Sequence, residues 1–70
     1  MARVVANMAG TILEVFASSG DMIEIGQDVA MMESMKMQMA IQSEEEGTVS
    51  VVKVEPGDFV NEGDVILELE

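Results

Sequence analysis

Three basic residues, Arg3, Lys36 and Lys53, stand against fourteen acids in this 70-residue chain, and Lys36 alone lies within a methionine-rich run, between Met35 and Met37. It lies almost midway along the chain, in the run Met31-Met32-Glu33-Ser34-Met35-Lys36-Met37-Gln38-Met39-Ala40-Ile41. A primary amine so placed offers one main chemistry: in its neutral form it attacks an activated carbonyl and becomes acylated. The ammonium form dominates for ordinary lysines near neutral pH, so a base must first take the proton. The chain has no histidine and no cysteine, which removes the usual general base and the usual thiol nucleophile. Lys36 is therefore either modified by another protein's machinery or is simply a lysine in a solvated turn. Catalysis by the chain itself is not expected.

Other residues could do chemistry, and each has a plainer explanation. Met35, Met37 and Met39 alternate, which would set three thioethers on one strand face, a ligand set suited to copper(I). With no His or Cys to complete such a site, the methionines read instead as filler for a core with two Phe and no Trp or Tyr. No metal site is expected. Asp21, Asp58 and Asp64, with Glu24 and Glu62, lack the dense oxygen-ligand spacing of a calcium loop and read as turn residues. Glu44-Glu45-Glu46 reads as a solvated loop, with a docking patch for a basic surface as the functional option.

Composition narrows the classes. A formal charge of −11 repels phosphate backbones and anionic lipid, so no nucleic-acid partner is expected. No apolar run approaches the roughly 20 residues of a membrane span, and the start Met1-Ala2-Arg3-Val4-Val5 lacks the form of a signal peptide. A cytoplasmic location, one domain over residues 1–70 and a monomeric state are the expectations.

The elements that must position Lys36 follow from an internal repeat. Gly10 to Ile23 superposes on Gly47 to Val60 at an offset of 37, and the match continues through Gly26 and Gly63, Val29 and Ile66, Met32 and Leu69. Each half reads as Gly-Thr, an extended apolar run, Gly-Asp, a short apolar pair, Gly, and a last strand. The β-branched residues in Thr11–Ala17 and Thr48–Val54 predict strands. Glu55-Pro56-Gly57-Asp58 predicts a turn, as does Ser19-Gly20. Many short strands in so small a chain argue for an all-β two-sheet sandwich or flattened β-barrel.

The central run is where signals conflict. Met, Ala, Glu, Lys and Gln favour a helix over residues 29–41, whereas the alternation of Met37, Met39 and Ile41 has the period of a strand. The repeat pairs Val29–Glu33 with the strand Ile66–Glu70 and decides for two strands with a turn at Ser34 to Lys36. With Met35 and Met37 pointing inward, alternation would send Lys36 outward at the tip of a β-hairpin.

The stretch Glu33-Ser34-Met35-Lys36-Met37 resembles the Met-Lys-Met attachment motif of biotin carboxyl carrier domains, within the wider biotinyl/lipoyl attachment family. Met8-Ala9-Gly10-Thr11-Ile12 is similar to the opening motif of those domains, and Gly57-Asp58-Phe59-Val60-Asn61-Glu62-Gly63-Asp64 to the closing one. Where family members commonly read Ala-Pro-Met-Pro-Gly, this chain has Ala6-Asn7-Met8-Ala9-Gly10. The resemblance implies a barrel-sandwich hybrid with quasi-two-fold symmetry and covalent biotin on Lys36, with Met35 and Met37 as flanking recognition residues. It implies a biotin protein ligase as modifying enzyme, with biotin carboxylase and carboxyltransferase as partners between which carboxyl groups are carried. Lipoate is the alternative cofactor; lipoyl domains usually have an acidic residue before the lysine and a small one after. From other classes, an unmodified adaptor and a methionine metal site remain as alternatives.

Overall fold

The computed structural model describes residues 2–70. It has eight strands: β1 (Ala2–Val5), β2 (Gly10–Val15), β3 (Met22–Ile23), β4 (Asp28–Ser34), β5 (Met37–Gln42), β6 (Gly47–Val52), β7 (Phe59–Val60) and β8 (Val65–Leu69). All pairings are antiparallel, in two four-stranded sheets of order β1-β8-β6-β3 and β5-β4-β2-β7. Among the described residues there is no helix. The helix-forming residues of the central run lie in β4 and β5, because the apolar side chains of β4 are needed in the core between the sheets.

The offset of 37 is a structural symmetry. It carries β2, β3 and β4 onto β6, β7 and β8, and it exchanges the two sheet orders strand for strand. Irregularities repeat as well: the ladder slips between Ile12 and Glu14 in one half and between Val49 and Val51 in the other. Core positions are occupied by matched pairs, Ile12 with Val49, Ile23 with Val60, Val29 with Ile66, Ala30 with Leu67 and Met32 with Leu69, all buried. Each half gives two strands to each sheet, so neither half can bury its apolar face without the other.

The predicted turns form around glycine and aspartate. Gly57 has φ 97°, the Asp58 amide donates to the Glu55 carbonyl, and the Glu55 amide donates to Asp58 Oδ2 at 2.9 Å. Ser18 and Asp21 repeat this geometry, and the Asn61 amide donates to Asp64 Oδ2. These aspartates are therefore acceptors for turn amides. The strands stop at Val15 and Val52, short of the predicted ends at Ala17 and Val54.

Gly10 and Gly47 meet a different demand. A Cβ on Gly10 would fall 2.4 Å from the Glu33 carbonyl oxygen, and one on Gly47 would fall 2.7 Å from that of Glu70. At these equivalent points β2 and β6 cross so close to β4 and to the end of β8 that no side chain fits. The Gly10 contact matters most here, because Glu33 opens the last stretch of β4 before Lys36.

Candidate functional site

β4 and β5 form a hairpin in which Glu33 opposes Gln38 and Ser34 opposes Met37, leaving Met35 and Lys36 as a two-residue turn. Both turn residues have positive φ, 54° and 65°, the signature of a type I′ turn, whose twist matches that of the flanking strands. Such turns are normally built from Asn-Gly, because a side chain in the left-handed region is strained. Here the positions are held by methionine and lysine. A local rule broken at the tip of a well-formed hairpin points to a role for those side chains outside the fold.

Lys36 is exposed. Among the described residues the one ion pair joins Lys53 Nζ and Glu68 Oε2 at 3.9 Å. The ε-amine of Lys36 is thus held in solvent by backbone geometry alone. An acyl group on it meets no wall of this chain, so the tip fits a covalently carried group.

The flanking methionines are not where alternation put them. Met35 is 89% exposed and Met37 62% exposed, against the expectation that both point inward as anchors. Met35 is a turn residue and obeys no strand alternation. Met37 does share a strand face with Met39 and Ile41, but along that face burial fades from Ile41 (3% exposed) through half-buried Met39 to exposed Met37. The hairpin overhangs the end of the core, and its last residues have nothing to pack against. This also separates the three thioethers that alternation would have placed on one face, since Met35 lies in the turn and Met39 packs on the core. Among the described residues no cluster of three His, Cys, Asp or Glu could hold a metal ion.

The tip is anchored one step lower. Ser34 Oγ donates to the Ala9 carbonyl at 2.7 Å, which ties β4 to the segment entering β2 just before the close approach of Gly10 to Glu33. Sequence reasoning missed Ser34 as the brace; the available signal was a short hydroxyl side chain immediately before a tight turn.

Residues 2–69 match the protein-family model described as "Biotin-requiring enzyme". The chain belongs to the biotin/lipoyl attachment family. This attachment domain is 55% identical over 62 residues to a biotin/lipoyl attachment protein of Bacillus subtilis, covering 89% of this chain and 85% of that one. It is 40% identical over 63 residues to the mitochondrial propionyl-CoA carboxylase alpha chain of Mus musculus, covering 90% of this chain and 9% of the other. It is also 41% identical over 61 residues to the dihydrolipoyllysine-residue acetyltransferase component of the pyruvate dehydrogenase complex of Azotobacter vinelandii, covering 87% and 10%. The attachment domain thus spans most of the bacterial attachment protein and about a tenth of the two larger relatives. Among solved structures, a single-chain, multi-domain long-chain acyl-CoA carboxylase matches with TM-score 0.85 at 33% identity, over 94% of this chain and 7% of that one. The urea carboxylase of Kluyveromyces lactis matches with TM-score 0.89 at 26% identity, over 99% and 6%. The all-β barrel-sandwich architecture implied by the family resemblance is the one these neighbours share.

Proposed function

We propose that Lys36 is the attachment residue, that the group it carries is biotin, and that the domain ferries carboxyl groups between the sites of a biotin carboxylase and a carboxyltransferase. The observation that carries this reading is the exposed amine in a strained two-residue turn, with an exposed methionine on each side. A biotin protein ligase is the modifying partner. In that reaction the neutral Lys36 amine attacks the carbonyl of an activated acid, the amide C–N bond forms, the activating group leaves, and the amine's proton passes to a base on the ligase.

When bound, biotin supplies a ureido ring that accepts and gives up a carboxyl group. This chain supplies reach and a fixed origin for the arm. Tethering raises the effective concentration at a nearby active site to about the millimolar range when the arm can span the distance. A tip fixed by Ser34 and the Met35-Lys36 turn loses less freedom at each docking than a loose loop would. The likeness to the Azotobacter vinelandii acetyltransferase component supports lipoate as the second reading, and the methionines on both sides of Lys36 weigh for biotin.

Intact-mass measurement after incubation with biotin ligase, biotin and ATP tests the assignment, with a lipoate ligase reaction in parallel. One biotinyl increment is expected, and none on the Lys36→Ala variant, with circular dichroism to check that its fold is unchanged. A biotinyl increment persisting on Lys36→Ala would overturn the site. A lipoyl increment in place of the biotinyl one would overturn the cofactor.

A further inference from the structure

Among the described residues, exposure divides the methionines into two groups. Met32 is fully enclosed, Met8 and Met39 pack against the core, and Met31 is half-buried. Met35, Met22 and Met37 stand in solvent at 89%, 74% and 62% exposure. Two of these three flank Lys36. The third, Met22, lies on β3 in the other sheet, and its sulfur accepts a hydrogen bond from Thr48 Oγ1 at 3.3 Å.

We propose that Met35 and Met37 form a peroxide-sensitive modification site whose sulfoxides block acylation of Lys36. The inference rests on the reading of Lys36 as the acylated residue. In the modifying step a thioether lone pair attacks one oxygen of a hydroperoxide. The S–O bond forms as the O–O bond breaks, the sulfur is oxidised by two electrons to the sulfoxide, and the peroxide is reduced to water or an alcohol. Exposure governs which thioethers react, and methionine sulfoxide reductases reverse the change.

The consequence follows from where the sulfurs sit. Neither side chain contributes to the core, so oxygen added there leaves the ladder and the Ser34 brace in place and the fold intact. What changes is the surface offered beside the amine. Two flexible apolar groups become two strong hydrogen-bond acceptors, and an enzyme that buries them beside Lys36 must desolvate oxygens for which an apolar contact has no donor. Oxidation at this tip therefore acts on recognition and not on stability.

The test treats purified unmodified protein with graded hydrogen peroxide, maps added oxygen by peptide mass spectrometry, and measures ligation by biotin ligase before and after. Met35 and Met37 are expected to gain oxygen ahead of Met8, Met31, Met32 and Met39. The doubly oxidised protein should lose about tenfold or more in ligation kcat/KM, and treatment with both reductases should restore it. Met22→Leu should lose activity on oxidation as the unsubstituted chain does. In Met35→Leu/Met37→Leu the rate, whatever its starting value, should be the same before and after peroxide. Unchanged ligation of the doubly oxidised protein would overturn the proposal, as would earlier oxidation of the enclosed methionines or an equal loss in the double leucine variant. Failure of the untreated protein to be acylated at Lys36 would instead overturn the functional reading, and this proposal with it.

Discussion

At the scale of single residues, the tip of the β4–β5 hairpin is where stability and use diverge. Met35 and Lys36 occupy two consecutive left-handed positions that Asn and Gly would fill with less strain. Met35→Asn/Lys36→Gly is therefore expected to stabilise the fold by about 1 kcal/mol while abolishing attachment. A raised denaturation midpoint with an unchanged denaturant dependence would establish it. No gain would mean that the turn is not strained. Met37 carries a separate expectation. With 62% of its surface exposed, Met37→Ala should leave the melting temperature within about 2 °C and slow ligation severalfold, and an unchanged ligation rate would remove it from the recognition surface.

At the scale of elements, the hairpin projects beyond the core and depends on a brace instead of on burial. Ser34 Oγ on the Ala9 carbonyl is that brace, assisted by the absence of a side chain at Gly10, where a Cβ would collide with Glu33. Ser34→Ala is predicted to cost about 1 kcal/mol. It should raise amide hydrogen exchange at Met37 and Gln38 without affecting β6 or β8. Uniformly faster exchange would show that the serine supports the whole fold and not the tip. The same brace links a segment entering β2 to a hairpin tip far along the chain.

At the scale of the whole molecule, the fold is a duplication whose halves interleave, two strands from each in both sheets. Its core is doubled pair by pair, but its charge is not balanced. Fourteen acids against three bases leave a net −11, and among the described residues one ion pair, Lys53 with Glu68, engages an acid. Self-repulsion on so small a surface lowers stability, and added salt screens it over about 10 Å at 0.1 M. The denaturation midpoint is thus expected to rise between low and physiological ionic strength. A flat response would mean that the acids are spaced widely enough not to interact.

Much of this was legible in the residues. The 37-residue offset carried the equivalence of the two halves, the matched apolar positions and the position of Lys36 between two strands, because a duplicated pattern outweighs the helix propensity of any one stretch. The turn aspartates Asp21 and Asp58 were legible for the same reason, each beside its glycine, while the counterpart of Asp64 is Gln27. What only the tertiary structure decided was the outward setting of Met35 and Met37 and the bond from Ser34 to Ala9. Alternation along a strand tells which side a residue faces, but not whether anything lies on that side. Only the length by which β4 and β5 outrun the core decides that, and it is set by contacts between segments distant in the chain.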